Sequence, residues 1–194
     1  MPDGSVRKKK AALRKILRQK MGEADPATKQ SEDEAICARL IALPEYERAQ
    51  AVFCFVGTGP EISTLPILRH ALAAGKRVCA PLCLGPGQME ARSIGSLDEL
   101  SPGAYGIPEP QPNCPPVAAG EIDFAVVPCL ACDREGRRLG QGGGFYDRFM
   151  SGRRFPAFAL CRETLFAEEI PQEPWDQSVD GVVTEARVIR ARVS

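Results

Sequence analysis

The sequence predicts an α/β fold, a single domain with a mostly parallel central sheet flanked by helices. Three observations predict it. Short apolar runs at 51–56, 76–81, 122–127 and 155–161 read as buried strands. Ala51-Val-Phe-Cys-Phe-Val56 is apolar without interruption, as a strand covered on both faces requires. A helical pattern separates it from the next run, and strand–helix–strand alternation argues for parallel pairing. The 194 residues suit one domain over 1–194 with a substantial core.

The elements follow in order. A first helix runs from about Ser5, its cap, to Met21, with Leu13, Ile16, Leu17 and Met21 at helical spacing as its buried stripe. Arg7, Lys10, Arg14 and Arg18 share another face, which on its own reads as a solvated charged surface. Asp25-Pro26 is a cap followed by a first-turn proline, opening a helix that turns Ile36, Leu40, Ile41 and Leu43 inward. The strand at 51–56 ends at Gly57-Thr-Gly-Pro60, and Glu61 follows. Leu65 to Ala74 is a helix closed by Gly75, and Lys76 to Pro81 is a strand. Met89 to Ile94 reads as a strand, Leu97 to Pro110 as a proline-stiffened loop, and Gln111 to Ala119 as an irregular surface connection. After the strands at 122–127 and 155–161 come a short helix over Glu163–Ile170 and a last strand or tail over Arg187–Val193.

Composition excludes several classes. A formal net charge of zero argues against a general nucleic-acid binder. The basic N-terminus lacks an apolar signal core and no window approaches a membrane span, so the expected location is the cytoplasm. Eight cysteines without secretory features point to free thiols in a reducing compartment. Cys129-Leu-Ala-Cys132 has no second pair, which favours core packing over zinc or redox chemistry. His70 is the single histidine, which disfavours His-based nucleophilic triads.

The chemistry concentrates in one stretch. After the polar turn Asp133–Gly136 and the pair Arg137-Arg138, the chain reads Leu139-Gly140-Gln141-Gly142-Gly143-Gly144, then Phe145-Tyr146-Asp147-Arg148-Phe149, which starts a helix. Glycines at that density allow backbone N–H groups to approach a ligand closely. A glycine loop opening a helix is an anion cradle, since unpaired N–H groups and the helix dipole point the same way. A carboxylate there, Asp147, makes sense when a divalent cation bridges it to phosphate. The stretch therefore reads as a nucleotide phosphate and magnesium site. No Lys follows the glycines as a P-loop requires, and a charged turn stands where a dinucleotide fingerprint would adjoin its strand. The competing reading is a surface hairpin.

Arg137-Arg138-Leu-Gly-Gln-Gly-Gly-Gly-Phe-Tyr-Asp147-Arg148 closely resembles the signature loop of the 5-formyltetrahydrofolate cyclo-ligases, also called methenyltetrahydrofolate synthetases. It departs in Phe145, where the family has tyrosine, and in Gln141 and Gly143, where some members carry basic residues. Trp175-Asp176 stands where many relatives have His-Asp, and Tyr105-Gly-Ile-Pro-Glu-Pro110 resembles a further family segment. The resemblance runs from Lys10 to Glu185.

It implies conversion of 5-formyltetrahydrofolate and ATP to 5,10-methenyltetrahydrofolate, ADP and phosphate, by a monomer or weak homodimer acting on small molecules. It also implies the site. Lys10 and Arg14, with Arg138, Leu139, Gly140, Gln141, Gly142, Gly143, Gly144, Phe145 and Tyr146, would contact ATP. Val56, Glu61 and the loop from Gln141 to Phe145 would contact the folate, and Asp147 and Asp180 would hold magnesium. Two other readings remain at this point, a non-catalytic nucleotide- or folate-binding regulatory module and a sugar-phosphate-binding protein.

Overall fold

The computed structural model describes residues 4–23 and 25–191. Its helices are α1 (Gly4–Glu23), α2 (Pro26–Ile41), α3 (Pro44–Arg48), α4 (Leu65–Ala73) and α5 (Phe145–Met150). Its strands are β1 (Ala51–Cys54), β2 (Arg77–Gly85), β3 (Gln88–Ile94), β4 (Leu100–Pro102), β5 (Pro108–Pro110), β6 (Pro116–Val117), β7 (Phe124–Val127), β8 (Ala131–Cys132), β9 (Arg138–Leu139), β10 (Ala157–Leu160), β11 (Gly181–Val183) and β12 (Val188–Arg190). The central sheet has the order β12-β11-β10-β7-β1-β2-β3-β6. The five middle strands, β11 to β2, are parallel, and the outer three are antiparallel. The expected α/β architecture with a mostly parallel sheet is the observed one.

The strands alternate between two cores, one on each sheet face. Val52, Cys54, Phe124, Val126 and Phe158 meet Ile36 and Leu40 of α2 and Ile67 and Leu68 of α4. Phe53, Ala125, Val127, Ala157 and Ala159 meet Leu17 and Met21 of α1 and Met150 of α5. Helices on both faces explain why β1, β7 and β10 are apolar throughout. Asp25 caps α2 as its sequence indicates, its carboxylate accepting the Thr28 N–H at 3.0 Å.

Other expectations are corrected. Ser5 lies inside α1, which begins at Gly4, and Ile16 is 55% exposed; Leu17 and Met21 carry the buried stripe. Where 97–110 reads as a proline-stiffened loop, the structure has a 3-10 turn, Leu97–Glu99, and the β4–β5 hairpin. The helix expected over 163–170 is one 3-10 turn, Glu163–Leu165. The last strand stops at Arg190, and residues 192–194 lie outside the described ones. No helix among the described residues is long and apolar enough to cross a membrane.

The loop from Phe55 to Thr64 leaves the carboxyl end of β1 and is tied at its base. The buried Thr64 hydroxyl donates to the Phe55 carbonyl at 2.6 Å and accepts the Gly57 N–H at 3.1 Å. Gly57 is required by close approach, since a Cβ there would stand 1.9 Å from the Ile62 carbonyl oxygen. Gly57→Ala is therefore expected to destabilise the protein by about 1–3 kcal/mol, as overpacking does. Urea unfolding of the variant checks this, and an unchanged midpoint would contradict the tight loop.

Candidate active site

Strand order reverses between β1 and β7: the chain proceeds from β1 to β2 and β3 on one side, and from β7 to β10 and β11 on the other. Loops leaving adjacent parallel strands at such a switch point splay apart and open a crevice at their carboxyl ends. The loop after β1 carries Glu61. The segment after β7 forms the β8–β9 hairpin and then the glycine loop. Asp133, fully buried, fixes that hairpin by accepting the N–H groups of Glu135, Arg137 and Ile170 and the Arg137 side chain. Arg138 is thereby placed opposite Cys132.

Gly142 and Gly144 adopt φ of 105° and 69°, in the region where a Cβ is strained, and Gly144 is the left-handed residue from which α5 starts. Arg148 holds the loop from outside, donating to the Gly143 carbonyl and to the Gly87 carbonyl of the β2–β3 turn, both at 2.7 Å. Leu139 belongs to the core: it is fully buried and its carbonyl accepts the Leu130 N–H at 2.7 Å. Its expected contact with nucleotide is limited to fixing where Gly140 begins.

The basic face of α1 docks on this loop. Arg14 Nε donates to the Gly140 carbonyl at 2.8 Å, and Arg18 Nη2 donates to Gln141 Oε1 at 2.9 Å. Burial first, and then the neighbouring Arg18, depress the Arg14 guanidinium below its ordinary value, opposed by Asp176, Glu173 and Asp147. At Lys10 and Arg14 the face read as solvated is thus an internal contact, while Arg7 and Arg18 remain exposed. Lys10 in particular is 5% exposed and pairs with Asp176 and, at 3.5 Å, with Glu173. Sequence reasoning could not find those carboxylates, which lie 163 and 166 residues away.

Arg138, 7% exposed, donates Nη2 to Asp147 Oδ1 at 2.8 Å and lies over the Tyr146 ring, while its Nε has no hydrogen-bond partner among the described residues. The Gln177 N–H also donates to Asp147 Oδ1, at 3.1 Å. Burial raises the Tyr146 hydroxyl, and Glu61 raises it further. The Glu61 carboxyl is itself held above its ordinary value by burial, against hydrogen bonds from the Thr58 backbone and the Gln141 side chain. The structure therefore joins Glu61, Gln141, Tyr146, Arg138 and Asp147, and adds Arg14 and Arg18 through the loop. A cavity of about 10 Å3 beside Glu61, bounded by Phe55, Pro128, Cys129, Cys161 and Arg162, has room for about one water.

Two expected residues do not join them. Val56 is buried in the core on the α2/α4 face, so its side chain is not offered to a ligand. Asp180 precedes β11, at the amino ends of the parallel strands, and its carboxylate accepts Arg153 Nη1 at 2.6 Å and the Ala157 N–H at 2.8 Å. It shares none of these partners with Asp147. Among the described residues, no group of three or more His, Cys, Asp or Glu side chains could hold a metal ion. The Asp147–Asp180 pair thus does not fit a bound magnesium in this arrangement.

Comparison with known proteins decides the family. A profile of the 5-formyltetrahydrofolate cyclo-ligase family matches residues 6–185. The chain belongs to the 5-formyltetrahydrofolate cyclo-ligase family. It is 33% identical over 192 residues to the 5-formyltetrahydrofolate cyclo-ligase of Mycolicibacterium smegmatis, covering 94% of this chain and 96% of that one. It is 30% identical to the probable cyclo-ligase of Schizosaccharomyces pombe, covering 94% and 98%. The solved 5,10-methenyltetrahydrofolate synthetase of Aquifex aeolicus superposes with a TM-score of 0.85 at 29% identity, over 95% of this chain and 94% of that one. As a cyclo-ligase family member the chain is an enzyme, a ligase of folate one-carbon chemistry.

Within this cyclo-ligase, sequence reasoning also missed Tyr105. The residue is 76% exposed, has φ of 58° at the tip of the β4–β5 hairpin, and stands edge-on to Phe145 with ring centroids 6.2 Å apart. The Tyr-Gly dipeptide was the available signal, but only the hairpin brings it to the loop. The Lys10 cluster yields a prediction. Lys10→Ala leaves two mostly buried carboxylates unpaired and is expected to cost roughly 3 kcal/mol of stability. Denaturant titration measures it; a loss of ATP affinity at unchanged stability would show that the ion pairs contribute nothing.

Proposed function

We propose that the chain catalyses ATP-dependent cyclisation of 5-formyltetrahydrofolate to 5,10-methenyltetrahydrofolate, with release of ADP and phosphate, within one domain over 1–194. The observation that carries this reading is the convergence on the β1/β7 switch point of a glycine cradle backed by Arg14 and Arg18 with a half-buried carboxylate, Glu61. A cradle of N–H groups with flanking guanidiniums suits a triphosphate. A carboxylate suits the amino-pyrimidine edge of a pterin, which offers several donors to one acceptor pair.

The chemistry needs no protein nucleophile. The formyl oxygen is a poor leaving group, so it takes the γ-phosphoryl group of ATP and ADP departs. The side-arm nitrogen attacks the activated formyl carbon, and the carbon–oxygen bond breaks to release phosphate. This chain's part is to position the two substrates and balance their charge, which is most of what phosphoryl transfer requires. Gly142, Gly143 and Gly144 bind phosphate through the backbone, Arg14 and Arg18 neutralise it, and Phe145 and Tyr146 exclude water. Magnesium carried by ATP would supply charge neutralisation, and Asp147, paired with Arg138 in the free protein, would be the carboxylate to hold it. The enzyme works on small molecules in the cytoplasm.

Purified protein mixed with 5-formyltetrahydrofolate, magnesium and ATP should develop the ultraviolet band of the methenyl product, and its absence would end this reading. Gly142→Ala sharpens the test. Its Cβ would meet Arg14 Cζ at 3.4 Å and face the phosphates, so turnover should fall about a hundredfold while stability falls by about 1 kcal/mol. Normal turnover at saturating ATP would reduce the loop to a hairpin.

Glu61 supplies a pH test. Its folded value is raised, so protonation is favoured by folding: ionised Glu61 costs stability at neutral pH, and the cost vanishes as pH falls below its ordinary range. Glu61→Gln should therefore melt above the wild type at pH 7, converge with it near pH 4, and bind the folate more weakly by about 1.5–3 kcal/mol. Lower stability at pH 7 with unchanged folate binding would make Glu61 a structural residue.

A further inference from the structure

Arg162 follows β10, is 4% exposed, and carries charge into a place the proposed reaction does not use. Its guanidinium lies against two carboxylates in the middle of α2: Nε stands 2.9 Å from Glu32 Oε2, an ion pair without hydrogen-bond geometry, and Nη2 pairs with Asp33. Its remaining arm, Nη1, donates to the Pro60 carbonyl at 3.3 Å. Asp33 in turn accepts the Ser63 N–H at 2.9 Å through its other oxygen. Pro60, next to Glu61, and Ser63, two residues beyond it, are thus held from one buried charge cluster, while Thr64 holds the base of the same loop. Glu61 and Arg162 also border the same small cavity.

We infer that Arg162, with Asp33 as its relay, is the positioning residue that sets the Glu61 carboxylate at the folate ring. The inference rests on the assignment of Glu61 to the folate. Its physical basis is the turn itself. The tip at Thr58–Glu61 is closed by one backbone bond, Glu61 N–H to the Thr58 carbonyl at 3.1 Å, and contains Gly59 in a left-handed conformation. Such a turn does not by itself fix a side chain whose burial disfavours its charge. A guanidinium donating along the chain at Pro60, anchored by two carboxylates on α2, removes that freedom. Arginine suits the task because its planar fork reaches three partners at once, which an ammonium on a single stem does not. Arg162 touches neither substrate on this reading; it acts through Glu61.

The test is a double-mutant cycle on the full chain, with steady-state rates followed through the methenyl product. Arg162→Lys keeps the charge beside Glu32 and Asp33 and gives up the fork. The expected result is a folate KM about tenfold higher, with kcat and the ATP KM within about twofold of wild type. In a Glu61→Gln background the same substitution should add nothing, because the group it positions is already gone. Asp33→Asn keeps an acceptor for the Ser63 N–H while weakening the ion pair, and should raise the folate KM in the same direction by less. If Glu61→Gln alone leaves the folate KM unchanged, the assignment of Glu61 fails. If Glu61→Gln raises it but Arg162→Lys and Asp33→Asn do not, or if the effects multiply independently, the positioning role is overturned. A cycle in which both variants lose melting temperature and affinity for both substrates alike makes Arg162 a structural clamp, which also overturns it.

Discussion

β1 and β7 run side by side and parallel, with Phe53 opposite Ala125, and their chains leave the sheet in opposite directions. Every group at the site is placed relative to that divergence. Glu61 arrives on the branch that continues to α4, and the glycine loop arrives on the branch that continues to α5. Both loops start from the ends of two four-residue strands whose register sets their starting points side by side. Burial of both strands on both faces makes that register hard to slip, since a shift of one residue would exchange the two cores. The stiff part of the molecule is therefore the part from which both loops of the candidate site start.

The cations of the cradle are not idle in the resting protein. Lys10 is paired with Asp176 and Glu173, Arg138 with Asp147, Arg14 with a loop carbonyl, and Arg18 with Gln141. A phosphate entering this place exchanges partners instead of finding bare charge. Partnered cations disfavour weak monovalent anions, which cannot repay the lost contacts, and favour a ligand that brings several charges and its own counter-ion. Gln141 has a second consequence. It accepts from Arg18 and its amide favours the ionised form of Glu61, so the residue that stands where some family members carry a basic side chain links the loop to both.

Much of this was legible from the chain. The sheet strands could be read because burial on both faces leaves an apolar run that nothing else explains, and the glycine loop because its composition is costly without a ligand. What escaped was decided by contacts distant in sequence. Periodicity placed Ile16 inside and Lys10 outside, yet Lys10 is the buried residue because Asp176 and Glu173 come to meet it. The β4–β5 and β8–β9 pairs hide behind prolines and a charged turn, since strands of two or three residues take their stability from what packs on them. Asp180 was assigned by motif alone, and motif position does not report that the side chain faces Arg153 at the other end of the strands.

The places where local rules are broken mark the site better than any of its charges. Glu61 is an acid kept where burial disfavours its ionised form, Arg138 keeps a buried Nε without an acceptor, and Tyr105 holds a left-handed backbone with its ring largely in solvent. Each costs folding free energy, of order 1–3 kcal/mol for backbone strain or an unmet polar atom. Elsewhere, Thr64, Asp133 and Asp25 show the chain satisfying its polar groups closely. Glu61, Arg138 and Tyr105 lie around the β1/β7 divergence, whereas Glu32 Oε2 and Arg162 Nε, also without hydrogen-bond partners among the described residues, lie behind the Glu61 loop. A ligand offering donors to Glu61, an acceptor to Arg138 and an aromatic face to Tyr105 and Phe145 would satisfy the first three together. A reduced pterin carrying a phosphorylated formyl group, the intermediate of the proposed reaction, would offer those three features.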